Sequence, residues 1–164
     1  MRLASGKESN FFIDCKQTVL GAEGHALAGQ LMAEALLAWG DVQAVAGVEL
    51  GGCPLASAVS MLSFQRGKPL DAVYVRKGAK DHGSQRVLEG NSHLAAGTRI
   101  ALLEDVVTSG GSSICAAKKL TDGGYKLAGV LTLVDRCEGG GAAILEAGYR
   151  FEALFTRNDF VADG

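Results

Sequence analysis

The sequence predicts an α/β fold, a mainly parallel sheet flanked by helices. The first observation is alternation. Apolar runs at Ala44–Val48, Asp71–Val75, Ile100–Leu103, Leu127–Val134 and Phe151–Phe155 take turns with stretches of helical spacing, the order that buries a parallel sheet between helices. The second is what closes the runs: glycines, acids and hydroxyl residues gather at their carboxyl ends, where open α/β sheets bind ligands. The third is bulk. With 164 residues, 48% of them hydrophobic, the chain (1–164) is one domain's worth and can bury a substantial core.

Taken in order, a polar, turn-rich opening to Asn10 leads into Phe11-Phe12-Ile13-Asp14. This is a short strand-like run whose aromatics are expected to anchor in the core or to stack on a planar ligand. From Glu23 to Trp39 the spacing of Leu27, Leu31, Ala35 and Leu36 gives a helix with a broad apolar face, and His25 in its first turn reads as a surface or capping residue. After the strand Ala44–Val48, Glu49-Leu50-Gly51-Gly52-Cys53-Pro54 is a glycine turn entering a helix that runs to about Arg66. The strand Asp71–Val75 precedes a stretch without apolar period that reaches Gly97, expected to be one long loop, with His93 a structural residue. Ile100–Leu103 is expected to stop at Glu104 and Asp105. The turn Thr108-Ser109-Gly110-Gly111-Ser112-Ser113 then opens a helix that passes Leu120 and stops at Asp122-Gly123-Gly124. Leu127–Val134 closes on Asp135-Arg136, a salt-bridge candidate. Gly139-Gly140-Gly141 is a flexible turn before a short helix through Ala147, and Phe151–Phe155 is the last strand.

Several functions are disfavoured by composition. A formal net charge of −2 argues against a dedicated nucleic-acid or membrane-surface binder. Cys15, Cys53, Cys115 and Cys137 are widely spaced and form no C-x-x-C pair, so they read as reduced packing cysteines rather than a metal site. No signal pattern opens the sequence and no apolar run approaches the ~18 residues of a membrane span. The expected location is the cytoplasm.

Two stretches carry chemistry. In the first, a buried strand, two acids, a hydroxyl-and-glycine turn and a helix follow one another from Ile100 to Leu120. Glycines let a backbone approach a phosphate, and a helix N-terminus turns unpaired N–H groups toward it. The hydroxyls of Thr108, Ser109, Ser112 and Ser113 add donors, and Glu104 and Asp105 can accept hydrogen bonds from neighbouring ribose hydroxyls. The rival phosphate signatures G-x-x-x-x-G-K-[ST] and G-x-G-x-x-G are absent around Gly110. In the second stretch, Arg76, Lys77, Lys80 and His82 place three permanent cations and a histidine within seven residues. A cationic lid of this kind can close over a polyphosphate and exclude water.

The first stretch resembles the phosphoribosyl pyrophosphate (PRPP) motif of type I phosphoribosyltransferases, with Glu104 in place of the commoner Asp. Ser5-Gly6-Lys7, Ser9 and Phe11 to Asp14 are similar to the N-terminal signature of orotate phosphoribosyltransferases. Arg76 to His82 resembles their flexible loop, and Arg136 aligns with their orotate-binding arginine. The four patches stand in the family's order and cover almost the whole length.

The resemblance implies a type I phosphoribosyltransferase core with a small hood made by the chain ends, the first hood helix being absent from this sequence. It implies transfer of the phosphoribosyl group of PRPP to orotate, giving orotidine 5'-monophosphate and pyrophosphate. Lys80, His82 and Asp105 would be catalytic. PRPP would be held by Arg76, Lys77, Lys80, His82, Glu104, Asp105, Val106, Val107, Thr108, Ser109, Gly110, Gly111 and Ser112, and orotate by Thr108 and Arg136. Mg²⁺ would be the cofactor, held mainly by pyrophosphate and water rather than by protein ligands. A homodimer sharing lid residues is implied, with neither nucleic acid nor membrane as partner. Two alternatives stand beside this: a purine or uracil phosphoribosyltransferase, and a PRPP-sensing regulator without catalysis. The lysines that some relatives carry at the positions of Ala4 and Gly51 are missing, which raises the question of impaired activity.

Overall fold

The computed structural model of the chain describes residues 12–78 and 86–161. Helices α1 (Lys16–Val19) and α2 (Ala22–Trp39) lead into strand β1 (Ala44–Val48), helix α3 (Gly52–Gln65) and strand β2 (Asp71–Val75). Then come β3 (Leu88–Glu89), β4 (Arg99–Val107), α4 (Gly111–Asp122), β5 (Lys126–Asp135), α5 (Gly140–Glu146) and β6 (Phe151–Thr156). The strands form one six-stranded sheet in the order β3-β2-β1-β4-β5-β6. All neighbours pair in parallel except β3, which is antiparallel to β2.

Each face of the sheet is buried by its own helices. On one side Met32, Leu36 and Trp39 of α2 and Leu55 and Val59 of α3 pack on Val45, Ala101, Leu103 and Leu131. On the other, Ala116, Ala117 and Leu120 of α4 and Ile144 of α5 pack on Ala46, Val73, Ile100, Leu102 and Val130. Residues of β4 therefore alternate between the two cores, which is why its apolar run is continuous. Trp39 is fixed on the first side by its indole N–H, which donates to Glu152 Oε2 at 2.7 Å, and by the Arg150 guanidinium 4.2 Å above its ring. Among the described residues no helix is long and apolar enough to cross a membrane.

Four expectations are corrected. Phe12 to Asp14 are not a strand, and Phe12, at 59% exposure, is no core anchor; Phe11 lies outside the described residues. The long segment after β2 is not all loop, because Val75 and Tyr74 pair with Leu88 and Glu89. Cys115 and Cys137 are exposed rather than packed, while Cys53 is buried and Cys15 half-buried. Strand β4 does not stop before the two acids but runs on through them to Val107, since Glu104, Val106 and Val107 still find parallel partners in Thr132, Val134 and Asp135.

Candidate active site

Strands β1 and β4 are neighbours, yet the chain leaves them toward opposite faces, into α3 on one side and α4 on the other. That reversal opens a crevice at the carboxyl ends of the two strands, the usual ligand position in an open α/β sheet. A cleft of about 240 Å³ lies there, lined by Lys16, Glu49, Leu50, Gly51, Lys77, Glu104, Asp105 and Ser112 among others.

The alternation along β4 separates its two acids. Ile100 and Leu102 face α4, and Glu104 continues that row. Its Oε1 accepts hydrogen bonds from Ser113 Oγ at 2.9 Å and Ser112 Oγ at 3.2 Å, both in the first turn of α4. Ala101 and Leu103 face α3, and Asp105 continues that row. Its carboxylate packs against Gly51, where an added Cβ would lie 2.2 Å from Oδ2. Gly51 thus lets the β1–α3 turn close on Asp105 without displacing it. Installing the missing lysine by Gly51→Lys is therefore expected to lower turnover rather than raise it, by on the order of 10-fold, because Asp105 must swing aside. Steady-state kinetics of that variant check this, and a faster enzyme would contradict the packing.

Burial holds the Glu104 carboxyl well above the carboxylate range, at about 7, helped by Asp105 and opposed by the Ser113 and Ser112 hydrogen bonds and by Lys77. A carboxyl whose folded pKa is raised costs stability as pH climbs from its unfolded value near 4.5 to about 7, and the full cost is present above that. Glu104→Gln removes the titration while keeping an oxygen for the serines. It is expected to raise the melting temperature relative to the parent at pH above about 7 and to change it little below the unfolded value, which paired thermal melts would test.

The phosphate loop is built by close backbone approach. Gly110 adopts φ 79, and a Cβ there would lie 2.8 Å from the carbonyl oxygen of Gly140. Gly140 in turn packs on Val107 and on the carbonyl of Thr108, so the Gly139–Gly141 turn is a buttress of the loop rather than a flexible spacer. The space beside Gly111 is open except for Ser109 Oγ at 3.9 Å. Ser109 and Ser112 are exposed and Thr108 half-buried, so their hydroxyls can reach a phosphate. Ser113 cannot. It is 1% exposed and its hydroxyl is spent on Glu104, which corrects its assignment as a phosphate donor. Val106 lines the cleft, whereas the Val107 side chain is in the core and only its backbone serves the site.

The cations are divided. Lys77 lines the cleft, and its backbone N–H donates to Glu49 Oε2 at 2.9 Å. Arg76 is turned toward Glu89, with Nη1 3.6 Å from its carboxylate, and is not among the cleft residues. Lys80 and His82 lie outside the described residues. Arg136 is 3% exposed, its backbone N–H donates to the Val107 carbonyl, and its Nη2 is 2.7 Å from Glu138 Oε1. It therefore stands at the end of β5 beside the end of β4, on the expected rim of the site. His25, expected at the surface or as a cap, is half-buried with Nδ1 3.0 Å from the Val19 carbonyl, and His93 is exposed with Nε2 3.2 Å from Asp71 Oδ2.

Three contributors escaped the sequence reading. Lys16, ion-paired with Asp14 at 2.8 Å, is a wall of the cleft; a cation two residues after the Phe-Phe-Ile-Asp run was the available signal. Glu49 clamps Lys77 from the glycine turn. Lys119, seemingly a solvated helix lysine, donates from Nζ to the carbonyls of Arg76 at 2.6 Å and Lys77 at 2.9 Å. No local pattern reveals a contact spanning 42 residues.

No family model matches the chain. It is, however, 61% identical over 161 residues to the orotate phosphoribosyltransferase of Sorangium cellulosum, covering 98% of this chain and 84% of that protein. The chain belongs to the orotate phosphoribosyltransferase family. Solved members share its architecture. The Mycobacterium tuberculosis orotate phosphoribosyltransferase in complex with Fe(III) dicitrate superposes with a TM-score of 0.82 at 36% identity, covering 99% of this chain and 89% of that one. The complex of the same enzyme with PRPP gives 0.78 at 34% identity, covering 91% and 82%. The type I phosphoribosyltransferase fold expected from the sequence is thus the fold observed.

Proposed function

We propose that this chain is an orotate phosphoribosyltransferase, transferring the 5-phosphoribosyl group of PRPP to orotate to yield orotidine 5'-monophosphate and pyrophosphate. The observation that carries it is the pairing, in one cleft at the β1–β4 reversal, of the Asp105 carboxylate with Ser112 in the first turn of α4, directly after the glycine-and-hydroxyl loop with its open space beside Gly111. In this mechanism Thr108, Ser109, Gly110, Gly111 and Ser112 bind the 5'-phosphate, and that remote binding aligns the reacting carbon. Asp105 and the cleft-facing side of Glu104 accept the ribose hydroxyls, and their negative charge favours the cationic ring that forms as pyrophosphate departs. Lys77, with Lys80 and His82 of the lid, balances the charge of the leaving group, and Arg76 joins them on turning away from Glu89. Arg136 orients orotate through its carboxylate.

Among the described residues no group of three or more His, Cys, Asp or Glu is placed to hold a metal ion, so those residues offer no cage. Mg²⁺ would enter with the pyrophosphate and its waters, where it supplies neutralisation of the leaving charge. A homodimer that shares the lid across its interface completes the proposal. Four free thiols fit a reducing, cytoplasmic setting.

The test is the loss of orotate's ultraviolet absorbance on adding PRPP and Mg²⁺, with uracil and hypoxanthine run alongside. Loss with orotate alone is the expected result; turnover of hypoxanthine or uracil instead would reassign the base. PRPP binding without turnover would favour a sensor. Lys80→Ala is expected to reduce turnover far more than orotate binding, and equal losses in both would remove the lid role.

A further inference from the structure

We infer that Glu104 is a positioning residue for the phosphate cradle: one carboxylate oxygen latches Ser112 and Ser113 in the first turn of α4, so that the cradle's shape depends on the acid beneath it. The inference rests on the PRPP-binding reading of this stretch and adds a role that ribose recognition does not require.

The geometry makes the case. Both serine hydroxyls converge on the same atom, Oε1, at 3.2 and 2.9 Å. Ser113 is 1% exposed and Glu104 only 5%, so the Ser113 hydroxyl touches no ligand and its single proton is committed to the carboxylate. Ser112, by contrast, is exposed and belongs to both the latch and the cleft. Any influence of Ser113 on phosphate binding must therefore pass through Glu104 and the helix turn it ties down. Hydrogen bonds to a charged, buried acceptor are stronger than neutral ones, and they weaken when the acceptor gains a proton. The charges of Asp105 on β4 and Lys77 after β2 act on this carboxyl, Glu49 after β1 and Lys16 on α1 line the same cleft, and the thiol of Cys53 on α3 feels the Glu104 charge.

The experiment is a double-mutant cycle on PRPP affinity, measured by calorimetry with the full chain. Ser113→Ala alone is expected to raise the PRPP Kd by on the order of 10-fold. In a Glu104→Ala background the same change is expected to do almost nothing further, because the latch is already gone. An equal factor in both backgrounds would overturn the inference. Glu104→Gln guards against loss of folding: its amide oxygen still accepts both hydroxyls, so it is expected to keep most of the affinity that Glu104→Ala loses. Locked neutral, it should also match the parent below pH of about 7 and bind more weakly than it above. A Gln variant as weak as Ala, or a parent-to-Gln ratio independent of pH, would also overturn it. A parent that does not bind PRPP at all would instead remove the functional reading, and this inference with it.

Discussion

Replacing Asp105 with Asn is expected to lower kcat by on the order of 10²–10³-fold while leaving the fold and most PRPP affinity in place. The substitution is nearly isosteric, so the packing against Gly51 survives. What disappears is a unit of negative charge at the edge of the ribose site. Asn still accepts a hydrogen bond from a ribose hydroxyl, which preserves much of the ground-state interaction. The cationic ring exists only on the way to product, so the lost attraction falls on the transition state and on kcat rather than on binding. Steady-state kinetics together with a PRPP titration would measure both. A fall in PRPP affinity as large as the fall in kcat would mean that Asp105 binds substrate and transition state alike. An unchanged kcat would take it out of the site.

The difference between the two acids shows where sequence reading succeeds and where it stops. Strand, acidic pair, glycine turn and helix are local patterns, set by neighbours in the chain, and β1, α2 and β2 fall within a residue of where periodicity places them. The cleft's position also followed, because crevices in such sheets sit at carboxyl ends of strands. The pair's division of labour did not. It depends on β4 running past Leu103, which parallel pairing with Thr132 and Val134 decides. Once the strand continues, alternation sends Glu104 to Ser113 and Asp105 to Gly51. The clamp of Lys119 on the stem at Arg76 and Lys77 is equally non-local. Gly140 shows the same limit from the other side: three glycines read as freedom, whereas contact with Val107 and Thr108 makes the middle one a point of tight packing.

Arg136→Ala is expected to raise the orotate KM by on the order of 10²-fold, with a much smaller change for PRPP, and to cost about 1.5–3 kcal/mol of stability. Both effects have one origin. The guanidinium side chain is 4% exposed and lies 2.7 Å from Glu138, whose own side chain is 25% exposed. A buried, ion-paired guanidinium is held in a fixed plane, which is what two parallel hydrogen bonds to a planar carboxylate require. The same burial makes its removal expensive, since truncation takes away a packed guanidinium together with its ion pair to Glu138. Folding and recognition can be told apart by working at a temperature where the variant is fully folded and by comparing bases. Uracil has no carboxylate, so the preference for orotate over uracil should collapse if Arg136 reads that group. If the folded variant keeps its orotate affinity and its preference, Arg136 serves only to pin the end of β5 through Glu138 and Val107, and the carboxylate must be read by another cation.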